Sequence, residues 1–226
     1  MDQKKIDRLI KMEWEMFHSV NEGGPKASCQ EDPETFYGMR NAQFNSWDEA
    51  TVDSYYRDVE NAAACGRNLV MEKYIHMMKN TAILQYERLK DQLVFPDDRG
   101  MELVDLINGE MIRQTEILFQ RYPYVSGAGR PLFSSQDLGG TTSIETYQRG
   151  ELMTYSTRTL ELLYRHLCSL KEKGISLAEK ILEGSVCSYG YASLDEAEEE
   201  TKKRAEAMGI QISYGCSRCE QPPEEN

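Results

Sequence analysis

The sequence has no surplus of positive charge. Its 26 lysines and arginines are outnumbered by 38 aspartates and glutamates, leaving a formal charge of −12 over 226 residues. Reading a nucleic-acid backbone requires a basic stripe, and an anionic membrane surface attracts the same feature, so neither partner is expected. Long apolar runs are missing too, and nothing nears the roughly 20 residues of a membrane-spanning helix. Met1-Asp2-Gln3-Lys4-Lys5 leads into an amphipathic helix rather than an apolar signal core, so the cytoplasm is the expected location. Period-two alternation and internal repeats are also lacking, which leaves no convincing strand.

Metal and redox chemistry finds little support in the residue counts. Histidine occurs three times, and the six cysteines are scattered at Cys29, Cys65, Cys168, Cys187, Cys216 and Cys219. In an intracellular helical protein most of these should be reduced and several buried. Cys216-Ser217-Arg218-Cys219 has the gap of a zinc or redox pair. No second pair, histidine cluster or βαβ pattern completes it, so it reads as incidental tail cysteines. Cys29 stands in a loop before a helix start, where the macrodipole can lower a thiol pKa, and is the candidate reactive thiol.

What the chain does have is helical period, almost throughout. The reading is an all-α, single-domain bundle of about seven to eight helices with one long Gly/Ser-rich loop. Residues 1–191 form the core, and residues 192–226 an acidic helix with a flexible tail. Helices are expected over Asp2 to Val20, Pro33 to Phe44, Thr81 to Leu93, Arg99 to Arg121, Ser176 to Ser188 and from Ser193. Tyr55 to His76 is read as one continuous or kinked helix across Gly66, with a split there and a new start at Arg67-Asn68 as the alternative, and Thr142 to Lys173 as one long helix. Ser46/Glu49, Thr142/Glu145 and Ser193/Glu196 have the spacing of capping boxes. Glu198/Lys202, Glu199/Lys203 and Glu200/Arg204 lace the last helix with acid-before-base pairs, the mark of a solvated face. The loop is placed at Val125 to Thr142, and loops of that length in a compact domain are often functional.

Ionised side chains fall where helical spacing asks for apolar ones. Glu13 lies four after Leu9 and four before Phe17, and Arg40 lies midway between Phe36 and Phe44. Asp58 and Glu72 share a stripe with Tyr55, Ala62, Leu69 and His76, and Glu151 is one turn from both Tyr147 and Tyr155. A carboxylate taken out of water without a partner costs several kcal/mol, so something in the fold must receive these groups. Mutual salt bridging is the plainest answer, although buried pairs add little net stability. A pocket is the other answer, because bundles build ligand sites from side chains on facing helices.

Three versions of the pocket follow. In the first, Trp47, Tyr55, Tyr74, Tyr147 and Tyr155 wall a cavity where Arg40, Arg67 and Arg130 hold a small anion, beside Glu13, Asp58, Asn68, Glu72 and Glu151. The glycines at Gly127-Ala128-Gly129 and Gly139-Gly140 offer free amides nearby, but neither run matches a nucleotide-binding fingerprint. The second is a carboxylate-bridged metal site. Only Glu15 and His18 have the required spacing, since Glu72 and His76 are four apart. The third is nucleophilic chemistry at Cys29. Against all three stands a helical interaction module whose inward charges are structural. No cofactor, reaction or oligomeric state is indicated.

Specific runs resemble a bacterial family known as domain of unknown function 4125. They are Glu13-Trp14-Glu15-Met16-Phe17, Asn21-Glu22-Gly23-Gly24, Cys29-Gln30, Thr35-Phe36, Met39-Arg40, Gln43-Phe44 with Trp47, and Gly66-Arg67-Asn68-Leu69. Glu72-Lys73-Tyr74, Gly129-Arg130, Thr142 to Tyr147, Arg149 to Leu152 and Thr154-Tyr155-Ser156 continue the likeness, which spans roughly Glu13 to Tyr191. Gly23-Gly24-Pro25-Lys26 departs from the Gly-Gly-Arg often found in that family. The polar residues of these runs are largely the ones that helical spacing already points inward, which favours a shared pocket, and the resemblance implies no reaction.

Overall fold

The computed structural model describes residues 2–20, 28–127, 129–138 and 141–210, excluding the side chains of residues 28 and 29. Among these residues are eleven α-helices: α1 Gln3–His18, α2 Pro33–Asn45, α3 Glu49–Ala64, α4 Leu69–Thr81, α5 Ile83–Leu89, α6 Asp98–Arg121, α7 Pro123–Gly127, α8 Ile144–Leu152, α9 Thr157–Glu172, α10 Leu177–Ser188 and α11 Leu194–Ala207. Three 3₁₀ turns, at Ser28–Glu31, Lys90–Gln92 and Ser134–Gln136, complete the elements. The described residues contain no strand, only an isolated bridge between Leu138 and Thr141.

The helix count exceeds the expected seven to eight because apolar periodicity carries straight across breaks made by caps. Gly66 does not let one helix run on. It adopts φ +69°, the amide of Arg67 closes onto the Ala62 carbonyl, and Asn68 starts α4 by accepting from the Met71 amide. The supposed stripe from Tyr55 to His76 therefore belongs to two helices. The long helix from Thr142 is likewise two, since the Ser156 hydroxyl caps the Thr159 amide and begins α9 afresh. Cap positions also differ from the sequence reading: Asp48 and not Ser46 caps α3, and Ser143 and not Thr142 caps α8. Ser193 does cap α11, with Glu196 accepting from the Ala192 amide.

The expected Gly/Ser-rich loop is shorter than proposed. Its start is α7, its middle a 3₁₀ turn, and Leu138 pairs with Thr141 before α8. At the far end, α11 is not wholly solvated. Leu194, Ala197 and Ala205 are buried, and Glu198 turns from its expected lysine to accept from the amides of Tyr124 and Val125 at the start of α7.

One apolar core joins α1, α2, α3, α4, α6, α8, α9, α10 and α11. Two glycines set how closely the layers meet. A methyl at Gly184 would sit 2.9 Å from the Cβ of Ala42, pinning α10 against α2. One at Gly150 would sit 3.0 Å from the Lys73 carbonyl oxygen and from Met77 Cγ, pinning α8 against α4. This second contact places Glu151 beside Lys73.

Candidate functional site

Four ionised side chains from four helices meet inside the bundle: Glu13 of α1, Arg40 of α2, Lys73 of α4 and Glu151 of α8, all buried. Arg40 holds Glu13 bidentately, Nε to Oε2 at 2.7 Å and Nη2 to Oε1 at 2.5 Å. Its Nη1 reaches Glu151 Oε1 at 2.8 Å and Gln43 Oε1 at 2.6 Å. Lys73 Nζ donates to the other oxygen of Glu151 at 2.6 Å. Tyr55 and Tyr155 donate to Glu13 and Glu151, each at 2.7 Å, and Gln43 adds a bond to Glu151 at 2.9 Å. The planar guanidinium fork is what allows one cation to serve two acids from different helices.

The electrostatics follow from the same geometry. Burial disfavours the Arg40 cation, yet the nearby charges of Glu13 and Glu151 outweigh burial and hold its pKa well above the ordinary value. Burial also disfavours ionised Glu151, but Arg40 and Lys73 hold that carboxyl well below its usual range. Burial pushes both tyrosine hydroxyls well up, and the adjacent carboxylates push further, so each remains a donor. Two acids and two bases make the quartet neutral.

Aromatic rings close one side. Tyr55 and Tyr155 lie 4.5 Å apart between centroids, with Trp47 edge-on to both at 5.8 and 6.0 Å. Tyr147 is half-buried and lies against the lysine of the quartet. Lys73 Nζ lies 3.5 Å from that ring's centroid and Arg130 Cζ 4.8 Å, so one ring carries two cations. Arg130 is exposed and donates to the Thr142 carbonyl at 3.0 Å.

The quartet thus gathers Glu13, Arg40, Trp47, Tyr55, Tyr147, Glu151 and Tyr155 from the sequence candidates, with Arg130 at the edge. Others lie elsewhere. Asp58 accepts from the amide and hydroxyl of Ser156 and from Thr159 Oγ1, tying α3 to the start of α9. Glu72 pairs bidentately with Arg67 at 2.8 and 2.6 Å. Asn68 is a cap whose amide also reaches the Met16 carbonyl, and Tyr74 is half-buried on α4.

Glu15 and His18 are exposed on α1, and the His18 ring nitrogen lies 3.1 Å from the Gln30 carbonyl. His76 meets Phe95 edge-on, with burial foremost and then Arg149 and Lys79 depressing its pKa to about 4. Among the described residues, no three His, Cys, Asp or Glu side chains gather as a metal's ligands. The Cys29 side chain, Cys216 and Cys219 lie outside the described residues.

Lys73 and Gln43 escaped the list of candidates. Lys73 had a signal, standing four after Leu69 and four before Met77, both buried. Gln43 had one as well, three after Arg40.

Fold and site define a class: an all-α protein with a neutral, buried cluster of acids, bases and tyrosines at the meeting of four helices. A family model described as "Protein of unknown function (DUF4125)" matches residues 3–199, and the chain belongs to that family. No curated protein and no solved structure matches it.

Proposed function

We propose that the chain binds a small anionic molecule at the outer edge of the quartet, where Lys73, Arg130 and Tyr147 face the approach between α4 and α8. The observation that carries this reading is the charge count. Arg40, Lys73 and Arg130 stand against Glu13 and Glu151, while Arg67 and Glu72 cancel as a pair of their own. Arg130 makes no ion pair among the described residues, and its planar fork suits a carboxylate or phosphate. An anion there completes the balance, with Tyr147 as the wall. The quartet beneath acts as a rigid floor that fixes where the Lys73 ammonium points.

The test is a thermal-shift series with inorganic phosphate, citrate and nucleoside monophosphates on the full chain and on Arg130→Gln. Ligand at about ten times Kd adds roughly 1.4 kcal/mol, a rise of about 3–5 °C for this length. The rise should vanish in Arg130→Gln, each shift being read against that variant's own unliganded melting point, since Arg130 also holds the Thr142 carbonyl. Equal shifts in both proteins would sink the reading.

A second reading is favoured by one specific observation: every carboxylate oxygen of Glu13 and Glu151 already accepts a hydrogen bond. Such a network can serve purely to fix the helices, leaving the acidic exterior to meet a protein partner. Under that reading no anion in the series raises the melting point of either the full chain or Arg130→Gln.

A further inference from the structure

A groove of about 180 Å³ runs between the C-terminal half of α6 and the turn that joins α9 to α10. It is remote in sequence and composition from the Tyr147 edge. Its walls are apolar but uncovered: Ile117 of α6 and Ile175 of the turn are each about 40% exposed. The floor is built. Gln114 is buried, accepts from the Ala178 amide at 3.1 Å and from the Ser176 hydroxyl at 3.0 Å, and locks α6 to the start of α10. The carbonyl end of α9 is tied back by the amides of Gly174 and Ile175, so it presents little negative charge to the groove.

The two ends of the groove differ in charge. At one, Arg121 pairs with Glu179 at 2.8 Å and the sum is zero. At the other, Arg113 and Lys171 share a single acid, Glu110, at 2.7 and 2.9 Å. The bonds from Arg113, followed by those of Lys171 and Gln114, outweigh partial burial and bring the Glu110 carboxyl down to about 2. Glu110 is therefore fully ionised, and the end still carries one uncompensated positive charge. On a chain of net charge −12 that is a local reversal of sign.

We propose that this groove binds a single-ring aromatic carboxylate, with its ring between Ile117 and Ile175 and its carboxylate on Arg113 and Lys171. An enclosed apolar cavity of about 150 Å³ holds benzene; the groove has a similar volume but is open on one side, so one face of the ring stays wet. The charge fits because one carboxylate cancels the excess cation. An extended acidic chain is a poorer match, because Glu179 closes the far end.

The experiment follows the isoleucine methyl groups of the full-length protein by ¹³C NMR during titration with benzoate. Saturable shifts confined to Ile117 and Ile175 are expected. Lys171→Gln and Arg113→Gln, both on the surface, should each weaken binding about tenfold, the worth of one charge-assisted contact. Glu110→Gln should tighten it several-fold by freeing both cations, an outcome that loss of structure would not produce. Benzamide should bind about as weakly as benzoate does to the Lys171→Gln variant. No saturable shift with benzoate, equal affinity for benzoate and benzamide, or the same shifts from inorganic phosphate would overturn the proposal.

Discussion

At the scale of single residues, Arg40 is the group on which the interior depends most. Removing it leaves Glu13 and Glu151 buried with fewer donors, and breaking such a pair from one side costs about 3–5 kcal/mol. Arg40→Gln should lose that much in urea unfolding, because the shorter amide cannot span two acids. His76 gives a second, opposite kind of test. Its pKa is about 4 when folded against about 6.5 when unfolded. Between those values the unfolded chain binds the extra proton, so stability falls as pH falls through this window. Unfolding free energy at about pH 5 should be about 2 kcal/mol below that at about pH 7, and His76→Gln should flatten the difference. Glu151 adds its own acid loss lower down. Its folded pKa is depressed, so its contribution is complete above the ordinary carboxylate value and disappears as pH drops below it.

These residues also mark what could be read in advance. Glu13, Arg40 and Glu151 announced themselves as charges on apolar stripes, and the structure joins all three. Asp58 and Glu72 gave the same signal and are buried or half-buried too, but each has partners of its own away from the quartet, Ser156 and Arg67. Periodicity reports which way a side chain points and carries nothing about whom it meets. The meeting partner depends on how helices cross, and the crossing depends on small residues such as Gly150 that leave no mark on the hydrophobic pattern.

At the scale of elements, the glycine approaches and the caps decide the layout. Gly150→Ala forces a methyl against the Lys73 carbonyl and Met77, so α8 must move off α4. Overpacking of this kind costs about 1–3 kcal/mol. Glu151 moves with the helix, so part of the loss is the strained contact with Lys73. A double-mutant cycle of Gly150→Ala with Lys73→Met should accordingly come out less than additive in urea unfolding. The helix count was underread for a related reason. Gly66 did mark a possible new start at Asn68, but Ser156 is an ordinary polar residue inside a helical pattern, and only the backbone around it shows that it starts a new helix.

For the whole molecule, the question is whether the last helix is an appendage. Leu194 and Ala197 belong to the main core, and Glu198 supplies the carboxylate that receives the α7 amides. Deleting residues 192–226 should cost at least ~3 kcal/mol, from lost burial of Leu194 and loss of that cap. Amide exchange at Tyr124 and Val125 should accelerate in the shortened protein. An unchanged melting curve and unchanged exchange would mean that α11 contributes nothing to the body it touches.

The neutrality of the interior has a consequence for the order of synthesis. Arg40 and Lys73 leave the ribosome with Glu13 alone to oppose them, and Glu151 follows Arg40 by 111 residues. Until then the nascent amino-terminal half holds a cation with no acid to bury beside it, so its centre stays open to water. Emergence of α8 should therefore be what lets the first four helices shut, and amide exchange in α1 to α4 should slow only in chains that extend past residue 152.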